Sequence, residues 1–138
     1  MFPRTHVAID HRLCGEPLEI GAGTATVVLR TVPEMAVDAT GLVHGGFVFG
    51  LADHAAMLAV NHPNVVLAAA HVKFLRPVAV GDRLVASASG PEGEERRAVV
   101  RVEVRRGDAM VMSGEFTCVT LDRHVLSSDD GGGSGGGA

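Results

Sequence analysis

The chain has 138 residues and a formal charge of −4, with 46% hydrophobic and 20% charged residues. That length suits one domain with a real core and is too short for two. The hydrophobic share excludes wholesale disorder, and the acidic balance argues against the basic face that a nucleic-acid partner needs. No run of about eighteen uncharged apolar residues offers a transmembrane helix, so no membrane partner is expected. The first residues lack the basic and apolar regions of a signal peptide. Cys14 and Cys118 fit no metal spacing, so a reduced cytoplasmic protein is expected. A single domain over 1–128 is predicted, followed by a flexible Gly-rich tail over 129–138, whose composition cannot bury surface.

Residues 3–14 read as a short amphipathic helix with Val7, Leu13 and Cys14 inward. Residues 18–32, rich in Val and Thr, read as a strand or a bulged pair of strands, closed by Pro33. Residues 34–43 read as an irregular loop in which Asp38 and Gly41 supply turn chemistry. Residues 46–61 predict the one long helix. They contain no Pro, are rich in Ala, Leu and Met, and are apolar on nearly all sides, as in a helix wrapped by the rest of the protein. Asn61 and Pro63 stop it. Strands follow at 65–75, 83–89, 95–106 and 110–121. In the third of these, Val100, Val102 and Val104 alternate with Arg101, Glu103 and Arg105. The class is α+β, an antiparallel sheet of about five strands with one helix on one face. One helix cannot cover such a sheet, so self-association through an edge strand or the bare apolar surface is expected, with a closed homodimer the commonest solution.

Asp53 stands out on the helix. Its neighbours at three and four residues are Phe49, Gly50, Ala56 and Met57, all apolar. A carboxylate there is either satisfied by a structural cap or ion pair, or held for chemistry, and the residues alone weigh the two equally. Before the helix, His44-Gly45-Gly46 leaves backbone N–H groups bare at a helix N-terminus, where an anion or a developing oxyanion is favoured. A carbonyl held there could be attacked with help from a carboxylate further along the helix. His54 lies about 100° round the helix from Asp53 and reads as a packed or surface residue. His71 reads as a cross-strand contact and Cys118 as a core thiol. The seven histidines are scattered without ligand spacing, so no metal site is expected.

Two stretches carry a resemblance. Thr40-Gly-Leu-Val-His-Gly-Gly46, followed by Phe-Val-Phe-Gly-Leu-Ala-Asp53, resembles the helix-entry motif of hotdog-fold acyl-CoA thioesterases of the phenylacetate-pathway type. Val72-Lys-Phe-Leu-Arg-Pro-Val78 and Gly81-Asp-Arg-Leu84 are similar to that family's next strand and turn. The resemblance spans roughly residues 18–121. It implies a hotdog fold, a sheet curled round one long helix, assembled as dimers or tetramers with active sites at the dimer interface. It implies Asp53 as catalytic base or nucleophile, Gly45 N–H as the donor to the thioester carbonyl, and His44 and Gly46 as residues shaping the pocket. The substrate would be a small-to-medium acyl-CoA, with no cofactor beyond the coenzyme A it carries. Phe47, Phe49, Met57 and Phe74 are candidates for an acyl tunnel or for core packing. Lys73, Arg76 and Arg83 would hold the coenzyme A phosphates or form a solvated strand end.

The sequence departs from the family pattern twice. Asp38 stands where the family commonly has Asn, and two acids near one thioester would raise a pKa. No Ser or Thr occurs in 64–76, where the family places one from the facing subunit; Leu67 takes that position. These departures favour a second reading, an acyl-CoA-binding hotdog protein without turnover, acting as a sensor or structural partner. A hotdog dehydratase is a third, but the helix pattern of that family is missing.

Overall fold

The computed structural model describes residues 1–93 and 95–127; the tail expected over 129–138 lies outside them. Along the chain come a short helix α1 (His11–Cys14), strands β1 (Glu16–Gly21) and β2 (Thr24–Arg30), a 3-10 turn (Pro33–Met35) and the long helix α2 (Gly45–Val60). Four more strands follow: β3 (Val65–Phe74), β4 (Arg83–Ser89), β5 (Arg97–Arg106) and β6 (Ala109–Thr120). They form one six-stranded sheet in the order β1-β2-β4-β5-β6-β3, antiparallel at every pairing. The sixth strand arises because residues 18–32 fold back on themselves at Gly23, whose φ of 76° suits a residue without Cβ.

α2 lies across the sheet, packed chiefly on β2, β4 and β5. Alternate residues of those strands point at it: Val27 and Leu29, Leu84 and Ala86, Val100, Val102 and Val104, all buried. From the helix come Val48, Leu51, Ala52, Ala55 and Leu58, also buried. Each fully buried Leu or Val contributes about 1.5–3 kcal/mol. Ion pairs such as Arg101–Glu115 have both side chains more than half exposed and add about 0–1 kcal/mol each. The core therefore holds the fold.

The N-terminal expectation is corrected. Only His11–Cys14 is helical, and Val7 is 72% exposed instead of inward. The Asp10 carboxylate caps the helix by accepting from Arg12 N at 2.9 Å, which fixes where it starts. Gly15 (φ 100°) ends it, in a position where a Cβ would lie 2.7 Å from the Leu51 and Val27 side chains. Residues before α1 are strapped to the far end of α2. There Asn61 takes the left-handed conformation (φ 53°) and closes the helix. Its Oδ1 accepts from Arg4 N at 2.7 Å, and its Nδ2 donates to the Phe2 carbonyl at 2.9 Å.

The two sheet edges differ. β1 is bulged between Pro17 and Glu19. β3 runs for ten residues and, among the described residues, pairs with β6 alone. Ala68, Ala69, Ala70 and His71 are exposed at consecutive positions, so both faces of the strand lack cover there.

Candidate functional site

The entry to α2 is pinned from three sides. Val37 N donates to Leu42 O at 2.8 Å, Val43 N to Val78 O at 2.8 Å, and His44 N to Met35 O at 2.9 Å. His44 then serves as N-cap, its Nδ1 accepting from Gly46 N at 2.7 Å. Because Nδ1 accepts, the neutral ring carries its proton on Nε2. Gly46 is required for this cap: a Cβ there would lie 2.8 Å from His44 Nδ1. Gly45, the first helical residue, has no acceptor within the helix for its N–H, and no other acceptor takes it among the described residues. Of the two glycine N–H groups, one is spent on His44 and the other is free.

Asp53 sits eight residues further along the same helix. One carboxylate oxygen, Oδ1, is buried without a hydrogen-bond partner among the described residues. Burial alone pushes its pKa from 3.8 to about 6. No cap or buried Arg among the described residues satisfies that oxygen. Phe49 stacks at a tilt on Phe116, ring centroids 5.3 Å apart, and Met57 is buried. Phe74 is 54% exposed, and its ring edge lies 3.5 Å from where a Gly45 Cβ would be. Phe49 and Met57 thus belong to the core, whereas Phe74 borders the free N–H of Gly45. Val37, Leu42 and Leu75 are likewise exposed, near the loop and strand ends around that helix start.

The structure does not bring all the candidates together. Asp38 is exposed and organises its own loop, accepting from Thr40 Oγ1 at 2.6 Å and Thr40 N at 2.9 Å. Those bonds, the hydroxyl's first, hold its pKa below the ordinary value, so it does not act as a second raised acid beside Asp53. Arg83 is separated from Lys73 by β5 and β6, about 14 Å across three strand spacings. The three cations therefore form no single cluster. Arg76 donates to the Met110 carbonyl at 2.9 Å, and Lys73 is exposed near the end of β3. Leu67 packs against the core at the β3 bulge, opposite Cys118. The Cys118 thiol is pushed up to about 12, by burial first and then by the Asp53 charge, which makes it inert. Both cysteines are free.

His54 is packed, 1% exposed, its Nδ1–H donating to the Cys14 carbonyl at 3.1 Å. The rings of His6 and His11 both lie stacked near it, with centroids 6.3 and 6.1 Å away. His71 pairs in register with Glu115. No helix among the described residues is long and apolar enough to cross a membrane.

A family model described as Thioesterase superfamily matches residues 40–113. The solved structure of an uncharacterized protein from Pyrococcus horikoshii is 51% identical, covering 92% of this chain and 100% of that one, with a TM-score of 0.87. A mutant phenylacetic acid degradation protein, PaaI, from Thermus thermophilus is 31% identical, covering 79% of this chain and 95% of that one, with a TM-score of 0.71. Among curated relatives, a methylthioribose-1-phosphate isomerase from Aquifex aeolicus is 50% identical over 118 residues, 86% of this chain and 26% of the isomerase. A transcription factor FapR from Thermoanaerobacter sp. is 27% identical over 126 residues, 91% of this chain and 63% of the factor. The chain thus spans between about a quarter and just under two thirds of the length of these curated relatives.

Proposed function

The chain belongs to the thioesterase superfamily, and on that premise we propose that it hydrolyses a small-to-medium acyl-CoA to the free acid and coenzyme A. The observation that carries this reading is the partnerless buried oxygen of Asp53 on the helix that opens with the free N–H of Gly45. Gly45 N–H takes the thioester oxygen and stabilises the charge that develops on it. Asp53 removes a proton from water as the water oxygen bonds to the carbonyl carbon. The tetrahedral intermediate then expels the thiolate as the C–S bond breaks, and the proton held by Asp53 passes to sulfur. A carboxylate with its pKa near 6 is ionised at neutral pH and is a stronger base than an ordinary Asp.

Reach sets a condition on this chemistry. Eight residues at 1.5 Å rise separate Gly45 and Asp53 by about 12 Å along the axis, whereas reacting atoms must approach to about 3–3.5 Å. One helix cannot bring both groups to one carbonyl. We therefore assign each site to two copies of the chain, Gly45 from one protomer and Asp53 from its partner. The uncovered β3 strand is the edge through which the copies would join.

The test is complementation between Gly45→Pro and Asp53→Asn, read as thiol release from acyl-CoAs of graded length. Pro is favoured at the first helical position and simply deletes the N–H there. Each variant alone should be inactive. Mixed protomers should recover about a quarter of the wild-type rate, because half the dimers then carry one intact site of two. Full activity in Asp53→Asn would refute the catalytic assignment, and a silent mixture would refute the shared site. The second reading, acyl-CoA binding without turnover, is favoured by Leu67 in place of a hydroxyl residue and by the likeness to FapR. Tight binding by the wild type with no thiol release would establish it.

A further inference from the structure

A cleft of about 380 Å³ opens between the N-terminal segment, the turn from α2 into β3 and the chain after β6. Its lining includes Arg4, His6, Asn64 and His124, and no Asp or Glu among the described residues. That is unusual in a chain with 16 acids against 12 Lys and Arg. The Arg4 guanidinium makes no hydrogen bond or ion pair among the described residues; only its backbone N–H is engaged, by Asn61. His124 Nδ1 accepts from Leu126 N at 3.0 Å, so the neutral ring presents its proton at Nε2. The Asn64 side-chain amide is likewise unbonded; its backbone N–H is held by His62 at 3.0 Å. His6 has its Nδ1 against Thr5 Oγ1 at 2.8 Å, leaving Nε2 as its open nitrogen.

We propose that this cleft binds a phosphate-bearing small molecule through Arg4, His6, Asn64 and His124. Two features suit an oxyanion, and the first favours phosphate. Four nitrogen-bearing side chains line one cleft, matching three phosphate oxygens better than two carboxylate oxygens. A guanidinium with no protein partner among the described residues supplies a fork that fits an oxyanion of either kind. The rim adds Val7 and Val125, 72% and 56% exposed, against which an apolar or heterocyclic body would lie. The walls are already tied in place, through Arg4 N on Asn61 and Leu121 N on the Asn64 carbonyl at 3.2 Å. The site does not depend on thioester hydrolysis and can be tested without it.

The experiment is titration of the isotope-labelled full chain by NMR with inorganic phosphate, adenosine 3′,5′-bisphosphate and acetate. Both phosphate probes should shift the Arg4, His6, Asn64 and His124 signals saturably. Arg4→Gln should weaken binding by about tenfold or more while the rest of the spectrum stays unchanged, since only an exposed side chain is altered. Tighter binding of the bisphosphate would identify the nucleotide end of a coenzyme as the source. Equal binding of both would identify a bare phosphate group. The proposal is overturned if neither phosphate probe saturates in the millimolar range, if acetate binds as well, or if Arg4→Gln binds like the wild type.

Discussion

Asp53 is destabilising where it stands, and that makes its role measurable without substrate. Its folded pKa of about 6 lies above the ordinary 3.8, so the folded state keeps its proton to higher pH than the unfolded chain. Stability therefore falls as pH rises from about 4 to about 6 and is level above. The gap corresponds to about 2 kcal/mol once partial solvent access is allowed for. Asp53→Asn should accordingly raise Tm at pH 8 and change it little at pH 4, while thiol release is lost. In the wild type, kcat/KM should climb with pH up to about 6 and then plateau. An Asp53→Asn variant less stable than wild type at pH 8 would contradict the burial argument. Asp53 stands out in the sequence because its neighbours three and four residues along the helix are all apolar, and a lone carboxylate in that setting has few explanations. Asp38 and Arg83 were not legible. An Asx turn two residues long looks the same as a site residue in one dimension, and a strand order that places β4 three spacings from β3 leaves no trace in local composition. Arg4, His6 and His124 escaped for the same reason, because their cleft joins the two ends of the described chain.

Both ends of α2 are set by side-chain chemistry, but only one end touches the rest of the chain through its cap. His44 closes the start locally, through Gly46 N. Asn61 closes the end and holds residues 1–4 by two hydrogen bonds. Asn61→Gly keeps the left-handed backbone and loses the bonds, at a cost of about 1–2 kcal/mol. Asn61→Ala adds the strain of a Cβ at positive φ, for about 2–3 kcal/mol in total. Hydrogen exchange should then rise in residues 2–6 in both variants, with the core of α2 still protected; unchanged exchange there would show that the strap carries no weight. The helix itself and its stop at Asn61 could be read from the sequence, because propensity and a left-handed cap are local. The strap could not, since nothing in residues 1–10 advertises an acceptor some sixty residues away. The same segment looked helical because Val7, Leu13 and Cys14 share a helical period, yet Asp10 and Gly15 confine the helix to four residues.

At the scale of the molecule, β3 is an apolar strand with one partner among the described residues. Its sequence reads as buried, and within a single chain it is not; the proposed joining of two copies would remove that mismatch. Ala69→Lys places a charge at an exposed position, so it should cost the protomer no more than about 0.5 kcal/mol. Across a two-fold axis it sets like charges near each other. Light scattering should report a smaller assembly with an unchanged circular dichroism spectrum, and thiol release should fall with it. An unaltered assembly would move the interface elsewhere. The fold class was readable from turn signals and alternation, which are short-range. The sixth strand needed the position of the Gly23 turn, and the bare stretch of β3 needed three dimensions. The opposite margin of the sheet behaves differently. There β1 carries Pro17, Glu16 and Glu19 around a bulge, and each of these devices blocks further backbone pairing. A sheet that can be extended at one margin and not at the other cannot grow head to tail into fibres. Accretion stops once two open margins have met, so concentrated solutions should stay clear and free of thioflavin-positive material.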